Sequence, residues 1–135
     1  HGGEGSWVPV AEECVGYHQI GAALDVYVDP DAFEALPAAP TQLHKSGCEV
    51  FLVARQTGLV RQLPGVDAIR ALRSFRHMEL AVQPGMKQCA TIDCFTRPGA
   101  VELVHDDDAV LAADVEVIRG LEGDGLFEFA RPSEQ

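Results

Sequence analysis

His105-Asp106-Asp107-Asp108 sets an imidazole and three carboxylates in a row, a donor set suited to Mg²⁺ or another divalent ion. Consecutive residues at a helix start converge poorly on one ion, however. Acidic residues there also cap the helix and oppose its positive dipole end, and capping is the stronger reading. Glu12 and Glu13 would form a general acid–base pair only if both faced one cleft. Adjacent helical residues diverge by about 100°, so a solvated face is expected instead. Asp93 and Arg97 bracket a strand-to-turn corner. An ion pair holding that turn is the plain expectation, and contact with a substrate or nucleotide is the functional alternative.

The opening run Gly2-Gly3-Glu4-Gly5 has the flexibility of a phosphate-cradling loop, although a short glycine run is more often a linker. His18 and His44 have no partner nearby in sequence, and His77 alternates outward. Each reads as a surface or half-buried histidine. No GxSxG, P-loop, HExxH or dinucleotide fingerprint occurs. Cys14, Cys48, Cys89 and Cys94 form no CxxC pair and show no zinc-ligand spacing. All four lie among apolar residues and are expected as buried free thiols, which points to the cytoplasm or another reducing compartment.

The elements around these residues come from a chain of 135 residues, long enough for a real core. Hydrophobic residues make up 47% and charged residues 23%, as in ordinary globular domains. The net charge of −11 repels phosphate backbones and anionic membranes, so no nucleic-acid partner is expected. No apolar run is long enough to span a bilayer, and no signal peptide is visible. The abrupt start at His1, without Met, reads as a cut point or a tag remnant.

Helical spacing predicts helices over 7–17 and 19–28, the second with Ile20, Ala23, Leu24 and Tyr27 on one face. Asp29-Pro30 stops it, and Asp31 is placed to cap a short turn through Phe33 and Leu36. Residues 37–46 read as a loop. The apolar run 48–54 predicts a buried strand, and a turn at 56–58 returns it along 59–63 as a β-hairpin. A short helix over 66–72 follows. Strands are predicted over 75–82, 87–95 and 100–104. A closing helix runs over 109–121, with Val110, Ala113, Val117 and Leu121 along its apolar stripe and Leu111, Val115 and Ile118 beside it. A last short strand covers 126–129. The expected fold class is α+β: one mostly antiparallel sheet with helices packed mainly on one face. Residues 1–46 form a helical lead-in and loop, 47–130 the sheet unit with its closing helix, all within one domain, and 131–135 a tail.

This middle unit resembles the C-terminal subdomain of ATP-grasp carboxylate–amine ligases. The matching features are Phe51-Leu52-Val53, Gly58-Leu59-Val60, Pro64-Gly65, the helix 66–72, the strand 78–82 and Pro84-Gly85. Asp93, Arg97, Gly99-Ala100-Val101 and Asp106 to Asp108 continue the pattern, and 82–121 is similar to the end of biotin-carboxylase-like proteins. His1-Gly2-Gly3-Glu4-Gly5 and the helix after it sit where the family has a glycine loop and helix. The Glu-x-Asn-x-Arg segment and the ATP-binding lobe of such ligases are absent from this sequence.

The resemblance implies a ligase portion that forms an amide or thioester through an acyl phosphate. It needs ATP and Mg²⁺ in a full-length parent and no cofactor in this chain. Gly2, Gly3, Glu4, Asp93 and Arg97 are its candidate substrate-binding residues, with no metal ligands and no catalytic residue assigned. The expected partner is a missing N-terminal ATP-grasp lobe. The alternative is a non-catalytic module that keeps this fold and acts through a protein partner. A weaker third reading is a small metal enzyme built on His105 and the carboxylates beside it.

Overall fold

Burial of alternating and helical apolar stripes organises the chain around one strand. In the computed structural model, which describes residues 7–131, the strand Gly99–His105 is buried along six successive residues. The elements in chain order are α1 (Trp7–Val15), α2 (Gln19–Val28), α3 (Pro30–Glu34), β1 (Ser46–Phe51), β2 (Gly58–Gln62), α4 (Gly65–Arg70), β3 (Phe75–Leu80), β4 (Lys87–Gln88), β5 (Gly99–His105), α5 (Asp108–Gly123) and β6 (Glu128–Phe129). β5 is the centre of an antiparallel sheet of order β1-β5-β3. A second antiparallel sheet has the order β4-β2-β6. The fold is α+β.

Strand alternation decides the faces of the first sheet. Val50 and Leu52 join Val101 and Leu103 in the main core, against Ile118 of α5, Ile69 of α4 and Leu126. Gly47, Glu49 and Phe51 take the opposite face with Ala100, Glu102 and Val104, and with His77 and Glu79 from β3. α1 covers one end of that face, where Val10 and Cys14 pack on Val104. A Cβ on Gly47 would come 2.7 Å from the Cys14 sulfur, so this glycine lets α1 sit close. Gly99 makes a second close approach: a Cβ there would lie 2.2 Å from the Glu79 carbonyl oxygen.

The sequence reading is corrected at several points. The 48–54 and 59–63 segments do not pair as a hairpin, and the strands form two sheets rather than one. After Phe51 the chain takes other partners. Leu52 N–H donates to Gly99 O (3.0 Å), Val53 N–H to Glu122 (2.9 Å) and Ala54 N–H to the Thr91 hydroxyl (2.9 Å). The strand expected over 87–95 shrinks to Lys87–Gln88, because side chains of Thr57, Asp93 and Thr96 claim the backbone beyond it. Asp29, not Asp31, caps α3 by accepting from Ala32 N–H, with Pro30 in the first turn. The inward face of α5 carries Asp114, Ile118 and Glu122 buried, whereas Val117 of the expected stripe is 45% exposed.

α2 follows its predicted helical spacing but turns the apolar face outward. Ile20, Leu24, Tyr27 and Val28 are 47%, 58%, 87% and 71% exposed, and no residue of α2 is buried. Its chief packing partner is the short α3.

Candidate functional site

Gly2, Gly3 and Glu4 lie outside the described residues, so the glycine-loop site is not among the positions the structure places. The other two predicted site residues fall in the 89–98 loop but do not pair with each other. Asp93 Oδ1 accepts from the N–H of Phe95 (3.0 Å), the N–H of Thr96 (2.9 Å) and the Thr96 hydroxyl (2.9 Å). These bonds to Thr96, helped by Phe95, hold its carboxyl below the usual range. Arg97 instead lays its guanidinium over the ring of Phe51, 4.2 Å from the centroid. The expected ion pair is thus replaced by a self-capped turn and a cation–π contact. Phe51, Leu52, Val53, Ile92, Cys94 and Arg97 line an open, mainly apolar groove of about 320 Å³ between β1 and this loop.

The His105–Asp108 cluster caps its helix. Asp107 accepts from Ala109 N–H (2.8 Å), the His105 ring accepts from Asp107 N–H (2.9 Å), and Asp108 takes the Ser46 hydroxyl. Among the described residues no three His, Cys, Asp or Glu side chains converge as a metal site. Glu12 is exposed as expected, beside His18 at 3.3 Å. Glu13 is not a solvated residue: it binds Arg76 (2.7 Å) and Lys45 (2.8 Å), tying α1 to β3 and to the loop before β1. Those two cations pull its carboxyl below the ordinary range. Cys14 is buried and Cys48 half-buried, and burial pushes both thiols up. Cys89 and Cys94 are exposed, contrary to expectation, because the loop that replaces their strand turns them to solvent.

The sequence reading missed the three buried carboxylates. Asp114 accepts from Ser74 N–H (2.9 Å) and the Ser74 hydroxyl (2.7 Å), pinning α5 to the turn before β3. Glu122 accepts from Val53 N–H and from Arg119 (2.6 Å), and Arg119 also donates to Phe51 O. Glu102, in the middle of β5, is 2% exposed, and neither carboxylate oxygen has a hydrogen-bond partner. Desolvation first, then repulsion from Glu49 and Glu79, pushes its carboxyl up to about 7. A signal for each was present. Asp114, Ile118 and Glu122 recur at i, i+4 and i+8, and Glu102 interrupts an apolar run that fits a strand buried on both faces.

No protein-family model matches the chain, and no curated protein matches it. Among solved structures its fold is similar to part of an L-amino acid ligase from Bacillus licheniformis, on which it superposes with a TM-score of 0.68 at 13% identity. The match covers 96% of this chain and 31% of the ligase chain, so the chain spans less than a third of that protein's length. A likeness at this identity defines the fold and leaves the chemistry open.

Proposed function

We propose that this chain is the C-terminal portion of an ATP-grasp ligase that joins a carboxylate to an amine or a thiol through an acyl phosphate. The observation that carries the reading is the fold match along 96% of the chain to an amino acid ligase of which it spans 31%. The outward apolar stripe of α2 supports it, since a stripe at helical spacing is a packing face that wants a partner. Phosphoryl transfer needs metals and cations set around the γ-phosphate. The described residues do not fit that group, so the reading leaves ATP and Mg²⁺ to a separate N-terminal lobe. This chain alone is then inactive. Gly2, Gly3 and Glu4 would belong to the substrate side, and Arg97 would face it from the groove beside Phe51, with Asp93 shaping the loop.

The same α2 stripe favours a second reading, a non-catalytic module that keeps the fold and binds a protein partner there. The discriminating experiment expresses the full reading frame that contains this chain and assays amino-acid-dependent ATP hydrolysis and amide formation. Condensation by the full product, with none by the 135-residue chain, is the expected result. A full product with no ATP-dependent condensation would overturn the ligase reading and leave the binding module.

A further inference from the structure

We propose that the outward stripe of α2 is the seat of a basic amphipathic helix, and that this helix belongs to the N-terminal lobe of the ligase reading, on which the inference rests. The first ground is an uncovered helix face. α1 buries Val10 and Cys14 and α5 buries Ile118, whereas α2 buries no residue at all. Ile20, Leu24, Tyr27 and Val28 recur at i, i+4, i+7 and i+8 and stay exposed. Phe33 on α3, the chief packing partner of α2, is exposed as well. A row of side chains at this spacing receives the ridge of another helix, while an added strand would need an open sheet edge, which a helix does not offer.

The second ground is a one-sided charge. The chain carries no lysine or arginine before Lys45, and Lys45 is held by Glu13. Asp25 lies on α2, Asp29 just beyond it, and Asp31 and Glu34 on α3. Among the described residues no ion pair engages Asp25, Asp31 or Glu34. His18 is committed at the start of α2, where its ring accepts from Gly21 N–H and lies beside Glu12.

The two grounds together select the occupant. A second copy would set these carboxylates against themselves, and a nucleic acid or an anionic membrane would meet the same repulsion. A wholly apolar helix would cover the stripe but leave the flanking acids facing it without a counter-charge. A helix with an apolar row flanked by lysine or arginine covers the stripe and answers the acids beside it.

The test uses the 135-residue chain and a synthetic amphipathic helix built only of leucine and lysine. Its glutamate counterpart and a scrambled leucine–lysine peptide of the same composition run alongside. Amide resonances along α2 and α3 are followed during titration, at low and at high salt. The expected result is a saturable shift confined to α2 and α3, with an affinity that falls as salt rises. The double variant Leu24→Gln, Tyr27→Gln should bind about tenfold more weakly or worse, and Asp31→Asn, Glu34→Gln several-fold more weakly. All four side chains are exposed, so an unchanged thermal midpoint checks that each variant still folds. Equal binding of the scrambled peptide would overturn the proposal in favour of diffuse attraction to an acidic chain. Equal binding of the glutamate peptide would overturn it in favour of an apolar contact without charge selection. Shifts on α2 that grow with protein concentration alone would overturn it in favour of a second copy. Condensation is no part of this readout: condensation by the full product without peptide binding on α2 sinks the helix site alone, and binding without condensation removes the ligase lobe as the helix's owner.

Discussion

Replacing Glu102 by Gln should make the protein more stable at pH 8 and should flatten its stability between pH 5 and pH 7. In the folded chain the carboxyl titrates near 7, against 4.5 for the free side chain, with desolvation the largest cause and Glu49 and Glu79 next. His77 on β3 faces the same row. The folded state therefore holds a proton that the unfolded state has released between these values. Stability is fully present below pH 4.5 and is lost as pH rises toward and through 7. At about 1.36 kcal/mol per pH unit the full effect is roughly 3 kcal/mol, and screening by water around the exposed flanking groups lowers it to about 1–3 kcal/mol. Urea midpoints at pH 5, 6, 7 and 8 measure it for the wild type, for Glu102→Gln and for Glu102→Met, which keeps the length without a polar end. A wild type equally stable at pH 5 and pH 8 would refute the reasoning, as would a Gln variant weaker at pH 8.

Other substitutions test the remaining contacts. Glu13→Gln should cost about 1 kcal/mol or less at pH 7 in low salt, and the difference should shrink as pH falls below 4.5, where a carboxyl with a lowered value loses its advantage; paired denaturation curves at pH 7 and pH 3 would show this. Asp114→Ala leaves the Ser74 N–H and hydroxyl buried without an acceptor and should lower stability by about 2–4 kcal/mol, read from the urea midpoint. Leu52→Ala should cost about 2–5 kcal/mol through the cavity left at a side chain with no exposure, and an unchanged midpoint would contradict its place in the core. Gly99→Ala forces β5 away from the Glu79 carbonyl and should lower the midpoint by about 1–3 kcal/mol, with amide exchange rising first along β3.

The parts legible in the sequence are those where one periodicity acts alone. α5 announces itself by an acidic start and a long helical stripe, and the buried run of β5 by the apolar residues on either side of Glu102. Strand pairing was not legible, because pairing depends on what else competes for each backbone group. The chain after Phe51 reads as the first arm of a hairpin until Gly99, Thr91 and Glu122 are known to claim it. The same competition dissolves the strand expected over 89–95. Asp93 and Arg97 flank a turn, but no strand leads into it, and the sequence does not reveal that a threonine and a phenylalanine replace their mutual pairing. The buried acids are hard to read from sequence, because a carboxylate on an apolar stripe looks like an interruption of the face rather than part of it.

The second sheet sets an order of events on the chain during synthesis. Its middle strand β2 is made early, yet one of its neighbours, β6, pairs through Val60 with Phe129, so the two edges meet only after α5 has been made. Until then the emerging chain carries β2 with open N–H and C=O groups, the kind of edge on which nascent polypeptides associate wrongly. The first sheet has the same dependence, since β1 waits for β5. These long-range pairings predict slow folding that begins around β5 and ends with the docking of β6, and a ribosome-bound chain halted within α5 should recruit chaperones more strongly than one halted past residue 131.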